Sequence, residues 1–425
     1  MALDLRLPKT GLFDLQIILF LLVLFTFGDI SSLIFGKVLI VFGIISIIQL
    51  MYRHRKVDIL IIFLLFSLSY LLYMLAFYFF DIPYHYLLKY QKVIYTNNVL
   101  LLHVFFIRLM FFGLTPNDIG ISRLNLKTKN NNLIFILISG ILIIMFPISI
   151  IISPPSIGAT YTGDIKSSIW LEYCIIFIII GGVFANSRKK IFFLLIISSA
   201  YVLLPLLYGR RLQSIMIILT LFVLFFRNKI KVKYILVFSF CAFVFMRLYA
   251  SIRVGVDMPI ADSILSIDDE GVMGNNQGGV FVCSTTYWGL IQEGVFDLSF
   301  RVKSLFGVFS SIFLPASLNL KEAYINFQAL THTAIPGNGG FPSIYLFIWG
   351  GYLGVIIGAL ILNRIIRNKK NSNAIFIYTV FLFSTFPRWH SYNLLILIKM
   401  GFWLLFFYFL FNSIHVLYNK TYFKR

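Results

Sequence analysis

Residues 191–226 read "IFFLLIISSAYVLLPLLYGRRLQSIMIILTLFVLFF". Two apolar runs, 191–208 and 212–226, are separated only by Gly209, Arg210 and Arg211. Crossing a hydrocarbon core of about 30 Å takes roughly 20 helical residues at about 1.5 Å each, so the first run is close to full length and the second is short. Lipid offers the backbone no hydrogen-bond partners, so these runs are read as helices rather than loops or open strands. The turn between them then decides two things: which face of a membrane Arg210 and Arg211 occupy, and which anion holds them there.

The same pattern recurs along all 425 residues, of which 60% are hydrophobic, and the mean hydropathy is +0.91. A soluble fold cannot hide that much apolar surface, so the expectation is an all-α, polytopic integral membrane protein whose first partner is the lipid bilayer. The first twelve residues are mildly polar and no small-residue cleavage site follows the first apolar run, so the chain is expected to insert whole. Cys174, Cys241 and Cys283 have no metal-ligand spacing and do not form a disulfide framework. The net charge of +20 is not a nucleic-acid footprint, because most of it lies in short clusters between apolar runs.

Twelve spans are expected, at 12–31, 33–51, 58–80, 94–113, 133–153, 168–186, 191–208, 212–226, 234–252, 342–362, 374–387 and 394–413. Alternate loops carry the basic clusters 52–56, 123–129, 187–190, 227–233 and 363–370. With Arg6, Lys9 and the tail 420–425, that side holds 22 of the 36 Lys and Arg residues, which makes it cytoplasmic, both termini included. The chain divides into spans one to nine (1–252), a long outer loop (253–341) and spans ten to twelve (342–425). Within the loop, 268–279 ("DDEGVMGNNQGG") reads as flexible. The segment 300–318 reads as a helix on the membrane surface or capping the bundle, or else as an ordinary buried loop helix. No internal repeat is visible.

This topology puts Arg210 and Arg211 outside, with Arg247 and Arg253 at the outer end of span nine and Arg388 and His390 between the last two spans. Unpaired arginine in a membrane costs about 2.5–3.5 kcal/mol at mid-helix, and few carboxylates are near: Glu172, Asp164 and Asp257 are the candidates. The alternative is ordinary snorkelling to lipid phosphates or salt bridging. Guanidinium suits bidentate binding of phosphate oxygens, so a diphosphate-bearing lipid would account for such a ring. His332, in "ALTHTAIPGNGG" just before span ten, is the candidate base for a sugar hydroxyl, against the alternative of a solvated loop histidine. Asp268, Asp269 and Glu270 read as a solvated turn, and no nucleotide, dinucleotide, zinc-protease or serine-hydrolase motif is present. Neither metal nor cofactor is expected.

The combination resembles the Wzy-type O-antigen polymerases, which join oligosaccharide repeat units. The likeness rests on the span count, the turn "YGRRLQS" (208–214) leading into a span, one late outer loop, and its close, "GNGGFPSIYLFIWGGYLGVIIGALILNRIIR" (337–367). In that close Gly351, Gly354 and Gly358 read as helix-packing positions. The related O-antigen ligases share the layout, with a functional histidine late in the loop, where His332 stands, and outer arginines matching Arg210 and Arg211. The family's histidine is often followed by Asn; here Thr333 follows.

The resemblance implies a GT-C-like polymerase or ligase architecture in the bacterial inner membrane, with the active site periplasmic. It further implies transfer of a glycan from undecaprenyl diphosphate to a lipid-linked repeat unit, undecaprenyl-diphosphate-linked oligosaccharides as substrates and a chain-length regulator as partner. Arg210, Arg211 and His332 then take the catalytic roles, and Arg247, Arg253, Arg388 and His390 bind substrate. A ligase uses the same donor and is not separated from a polymerase by sequence. A flippase is the remaining alternative, although basic residues within spans are few: Lys37, Arg108 and Lys399.

Overall fold

A computed structural model describes residues 9–80, 92–119, 128–152, 170–207, 211–227, 276–315, 317–333, 339–367 and 373–422, with isolated positions in 231–241 and at 335. All regular structure among the described residues is helical. In chain order the helices are α1 (Lys9–Phe27), α2 (Leu33–Arg53), α3 (Asp58–Phe80), α4 (Val93–Met110), α5 (Asn132–Ile152), α6 (Trp170–Phe184), α7 (Arg188–Leu207) and α8 (Arg211–Leu221). After them come α9 (Asn276–Gln292), α10 (Leu298–Ser310), α11 (Ile325–Leu330), α12 (Pro342–Ile366), α13 (Asn373–Ser384), α14 (Phe386–Trp389) and α15 (Leu395–Tyr422).

Seven of these, α2, α3, α4, α5, α7, α12 and α15, are long and apolar enough to cross a membrane, so the chain is a multi-pass membrane protein. Four shorter apolar helices lie at 11–24, 170–184, 212–226 and 373–384. Every expected span except 234–252 therefore coincides with a helix, and 234–252 falls almost wholly outside the described residues. The run 212–226 is short for a further reason: it leaves the α-helical register at Phe222 and finishes as a π-helical turn to Phe226.

Packing divides the chain into two compact units. One holds residues 1–122, 267–369 and 389–398, the other 123–266, 370–388 and 399–425. The first is built around α4, 83% of whose span is buried. Gly36 lets α2 close on α3 and α4, because a Cβ there would sit 2.1 Å from the Tyr78 ring and 2.4 Å from Asn97. Asn97 accepts from Tyr78 Oη at 2.5 Å and donates to the carbonyls of Ile30 (2.7 Å) and Ser32 (2.9 Å), fixing the turn between α1 and α2. Ser32 then caps α2 by accepting from Ile34 N.

Asp14 of α1, 1% exposed, takes two hydrogen bonds from Arg53 (2.7 and 2.8 Å) and one from Gly113 N (2.8 Å), with Arg108 Nη1 3.8 Å away. Arg108 is further satisfied by the Ser46 hydroxyl and carbonyl and by Gln49. Buried Arg108 and half-buried Arg53 thus share one buried carboxylate, and Arg108, which lies inside an apolar helix, is left with partners on every side of its guanidinium.

Of the expected long loop, residues 253–275 lie outside the described residues. Its segment 276–292, whose first residues were expected to be flexible, is the helix α9, packed in the first unit against α3, α4 and α12. Ser284, Thr285 and Thr286 donate to the carbonyls of Val280, Phe281 and Val282 at 2.8–3.0 Å, which lets a hydroxyl-rich helix be buried. Asp297 caps α10 by accepting from Phe300 N at 2.7 Å. This helix buries Ser304, Gly307 and Val308 and leaves Leu298, Val302, Phe306 and Phe309 exposed as an apolar stripe.

α12 is broken. Gly350 and Gly351 leave helical geometry, Gly351 at φ +59° and ψ −151°. A Cβ on Gly354 would lie 2.3 Å from Leu346 O, and one on Gly358 2.6 Å from the Leu346 side chain. In a straight helix positions 346 and 358 stand about 18 Å apart, so the first two turns fold back over the remainder. Gly354 and Gly358 therefore receive Leu346 of their own helix, not a neighbouring one. The carbonyls freed by the break are taken by Arg301 of α10, whose guanidinium donates to Ile348 O (2.7 Å) and Phe347 O (3.0 Å). Trp349 Nε1 donates to Ser304 Oγ beside it.

In the second unit α5 packs on α6, α7 on α6 and α8, and α13 on α6 and α8. Tyr201 Oη donates to Leu142 O (2.6 Å), joining α7 to α5. Ser214 Oγ donates to Val202 O (2.7 Å), joining α8 to α7. Lys129 bonds Asn412, and Asn131 lies 3.3 Å from His415 Nδ1, so the start of α5 is fastened to the end of α15.

Candidate functional site

The sequence singled out three outer turns; in the second unit the helix that follows one of them and Arg388 of another both reach Glu172. α8 begins at Arg211, which places Gln213 in its first turn. α6 begins at Trp170, which places Glu172 in its first turn, where the helix dipole favours a carboxylate. Gln213 Nε2 donates to Glu172 Oε1 at 3.1 Å, and Arg388 Nη2 lies 3.4 Å from the same oxygen. Arg388 is carried by the short helix α14, whose backbone is fixed by Arg388 N donating to Thr385 O at 2.9 Å. The Arg388 side chain is 32% exposed and that of Glu172 17%, so the pair is reachable from outside the fold. Arg210 lies outside the described residues, as do Arg247, Arg253, Asp164 and Asp257, and of Arg211 only the backbone is described.

His390 stands two positions beyond Arg388 in the sequence but belongs to the first unit, where it is fully buried. Its Nε2 is 3.2 Å from Ser67 Oγ, and Ser67 donates its own proton to Phe63 O at 3.0 Å. The histidine is therefore the donor, protonated on Nε2, with Nδ1 left as an acceptor that meets no partner. Phe63, Phe66, Tyr70 and His103 surround the ring, with centroids 5.2–5.7 Å away. Burial pushes its pKa from 6.5 down to about 3, so it carries no charge for an anion. The expected pairing of Arg388 with His390 on one surface is thus not what the structure has: one side chain is partly exposed beside Glu172, the other enclosed by aromatic rings.

His332 is exposed, in a turn that follows α11 and is closed by His332 N donating to Ala329 O at 3.1 Å. Gly337 and Asn338 beyond it lie outside the described residues. Among the described residues no group of three or more His, Cys, Asp or Glu stands where it could hold a metal ion.

Glu172 was visible in the sequence as a candidate counter-ion; Gln213 was not, because an amide in an apolar run carries no charge signal. His103 was passed over for the same reason, lacking ligand spacing to another histidine, yet its ring lies 5.2 Å from that of His390. The first unit's Asp14 did have a signal, a lone carboxylate within an apolar run.

What the second unit presents is a guanidinium and an amide that meet at one carboxylate in the first turn of a helix. No family model matches the chain, and no curated protein or solved structure matches it either.

Proposed function

We propose that this protein is a membrane glycosyltransferase that lengthens a surface glycan, moving the growing chain from a polyprenyl diphosphate to a single lipid-linked repeat unit. The observation that carries the reading is the meeting at Glu172 of Gln213, two residues into the helix that Arg211 begins, with Arg388. Arg388 and the helix that follows the Gly209–Arg211 turn thereby reach one carboxylate, although they are far apart in sequence. Glycosyl transfer from a lipid diphosphate breaks the bond between the sugar's anomeric carbon and a phosphate oxygen, and forms one to an acceptor hydroxyl oxygen. The departing diphosphate keeps the electron pair, and preorganised cations stabilise that charge. In this reading Arg388, with Arg210 and Arg211, holds the diphosphate, Arg247 and Arg253 are further substrate-binding residues, and His332 is the sequence's candidate for the base that takes the acceptor hydroxyl's proton. The likeness to Wzy-type polymerases supports the same assignment, with the site on the periplasmic face and a chain-length regulator as partner.

Deleting the gene and resolving the surface glycan on a gel tests it. Polymerase activity predicts cores bearing one repeat; bare cores would mean a ligase, and lipid-linked units accumulating on the cytoplasmic side a flippase. Complementation sharpens the test. Arg211→Ala should abolish long glycan and Arg388→Ala should reduce it, with lysine rescuing only in part because it cannot present a two-pronged donor. His332→Ala should slow chain growth by about 10²–10⁴-fold if the imidazole is a positioned base. Near-normal glycan in Arg210→Ala/Arg211→Ala at matched expression would remove the diphosphate role from that turn.

A further inference from the structure

α10 carries its side chains the wrong way round for a helix that faces water. Leu298, Val302, Phe306 and Phe309 are exposed, Leu298 to 74% and Phe306 to 66%, while the residues turned inward are Ser304, Gly307 and Val308. At about 100° per residue the four exposed side chains lie within an arc of roughly 80°, and the three inward ones are centred opposite it. We infer that this stripe is a lipid-binding surface: α10 lies in the plane of the membrane, with the stripe seated among the acyl chains of one leaflet at the headgroup boundary. The inference does not depend on the chemistry proposed above.

The helix cannot roll to hide the stripe, because its other face is fastened. Gly307 packs so closely on the segment that follows that a Cβ there would stand 2.8 Å from Ala323 Cβ, and Asn319 Nδ2 donates to Gly307 O at 2.9 Å. Ser304 Oγ accepts from Trp349 Nε1 at 3.1 Å, and Arg301 donates to the carbonyls of Phe347 and Ile348 where α12 breaks. A roll would give up all of these contacts at once.

Length, depth and continuity identify the occupant as lipid. The 13 residues of α10 span about 20 Å, too short to cross a core of about 30 Å, so the helix suits lying rather than spanning. Arg364 in the last turn of α12 marks one rim of that helix. Gly351 is about 20 Å from it along the axis, which leaves the break about 10 Å inside the opposite boundary. In-plane amphipathic helices sink to about 5–10 Å, the same level. Carbonyls freed at that depth find no donor in lipid, and Arg301 supplies one because α10 is at the same level. Leu353, Ile357 and Ile361 are exposed on α12 beyond the break, so lipid already reaches the membrane-crossing helix on which α10 rests. Lys303, exposed just past the edge of the stripe, is placed for its ammonium to reach headgroup phosphates.

The test uses the full-length protein in phosphatidylcholine vesicles, with Cys241→Ser and one fluorophore attached at Phe306→Cys, Phe309→Cys or Lys303→Cys; Cys174 and Cys283 are buried. All three labelled positions are exposed, so the packed face stays intact. The quenchers are iodide in the water and phosphatidylcholine carrying a nitroxide either at the top of its acyl chain or at the chain's end. Labels at 306 and 309 should be quenched at least about twofold more by the nitroxide near the headgroup than by either other quencher. The label at 303 should favour iodide. Quenching of 306 and 309 mainly by iodide would put the stripe in water, and quenching mainly from the chain end would put α10 through the core. Quenching by none would put another protein surface, such as a second copy, over the stripe. Each of these results overturns the inference, as does identical behaviour of the labels at 303 and 306.

Discussion

His390 and His54 make the protein's stability depend on pH in one direction. Burial pushes His390 down to about 3, and burial together with the neighbouring Arg53 charge pushes His54 down to about 3, both from 6.5. Between those values the unfolded chain binds protons that the folded chain refuses, so stability is highest above about pH 6.5 and falls as the pH drops toward 3. The slope is at most about 1.4 kcal/mol per pH unit for each histidine. Purified protein in detergent should therefore melt several degrees lower at pH 5 than at pH 7. His390→Gln, which keeps a donor toward Ser67, should flatten that difference; an unchanged pH dependence in the His54→Gln/His390→Gln double variant would show that other groups control it. At this scale the arginine turns could be read from charge alone, since Arg388 and Glu172 stand out among apolar residues. The burial of His390 could not be read, because a histidine two positions from a partly exposed arginine carries no mark of which way it turns.

At the scale of elements, the break in α12 is held by backbone geometry on one side and by Arg301 on the other. Gly351 occupies a conformation essentially closed to side-chain-bearing residues, with ordinary room around it, since the nearest atom to an added Cβ is Arg301 Nη2 at 3.6 Å. Gly351→Ala should thus destabilise by about 1–3 kcal/mol through strain rather than collision. Arg301→Met leaves the carbonyls of Phe347 and Ile348 without that donor and should cost about 1–3 kcal/mol as well. Both are measurable as lowered unfolding midpoints. Because the two changes act on one bend, the double variant should lose less than the sum; strict additivity would mean that the bend and the cap are independent.

The apolar runs announced their helices, since a membrane leaves the backbone no alternative. The glycines of 351–358 misled: their spacing fits a partner helix, and only the fold shows Leu346 of the same helix lying over them. α9 was hidden because Gly278, Gly279 and the hydroxyl-bearing run 284–286 look like loop composition until their i−4 bonds are seen.

At the scale of the whole molecule, the charge pattern predicts an orientation that labelling can check. With exposed Cys241 replaced by serine, a cysteine at Glu293 should react with an impermeant reagent added outside, and one at Lys189 only after the membrane is opened. The reverse pattern would put the arginine turns on the cytoplasmic face and end the proposed chemistry. Chain order and packing also diverge at this scale: residues 1–122 join 267–369 in one unit, so the first four helices wait for sequence made much later.

The shared carboxylate of Asp14 bears on how those early helices enter the bilayer. Asp14 lies near the start of α1 and Arg53 ends α2, so the two charges belong to the same rim of the helix pair. Leaving the translocon together, as a hairpin already joined through Asp14 and Arg53, the two helices present lipid with a neutral pair. Arg108 arrives two helices later and finds Ser46, Gln49 and the edge of that pair waiting. The fourth helix, which carries its arginine inside the apolar run, thus meets a polar berth that its predecessors have built.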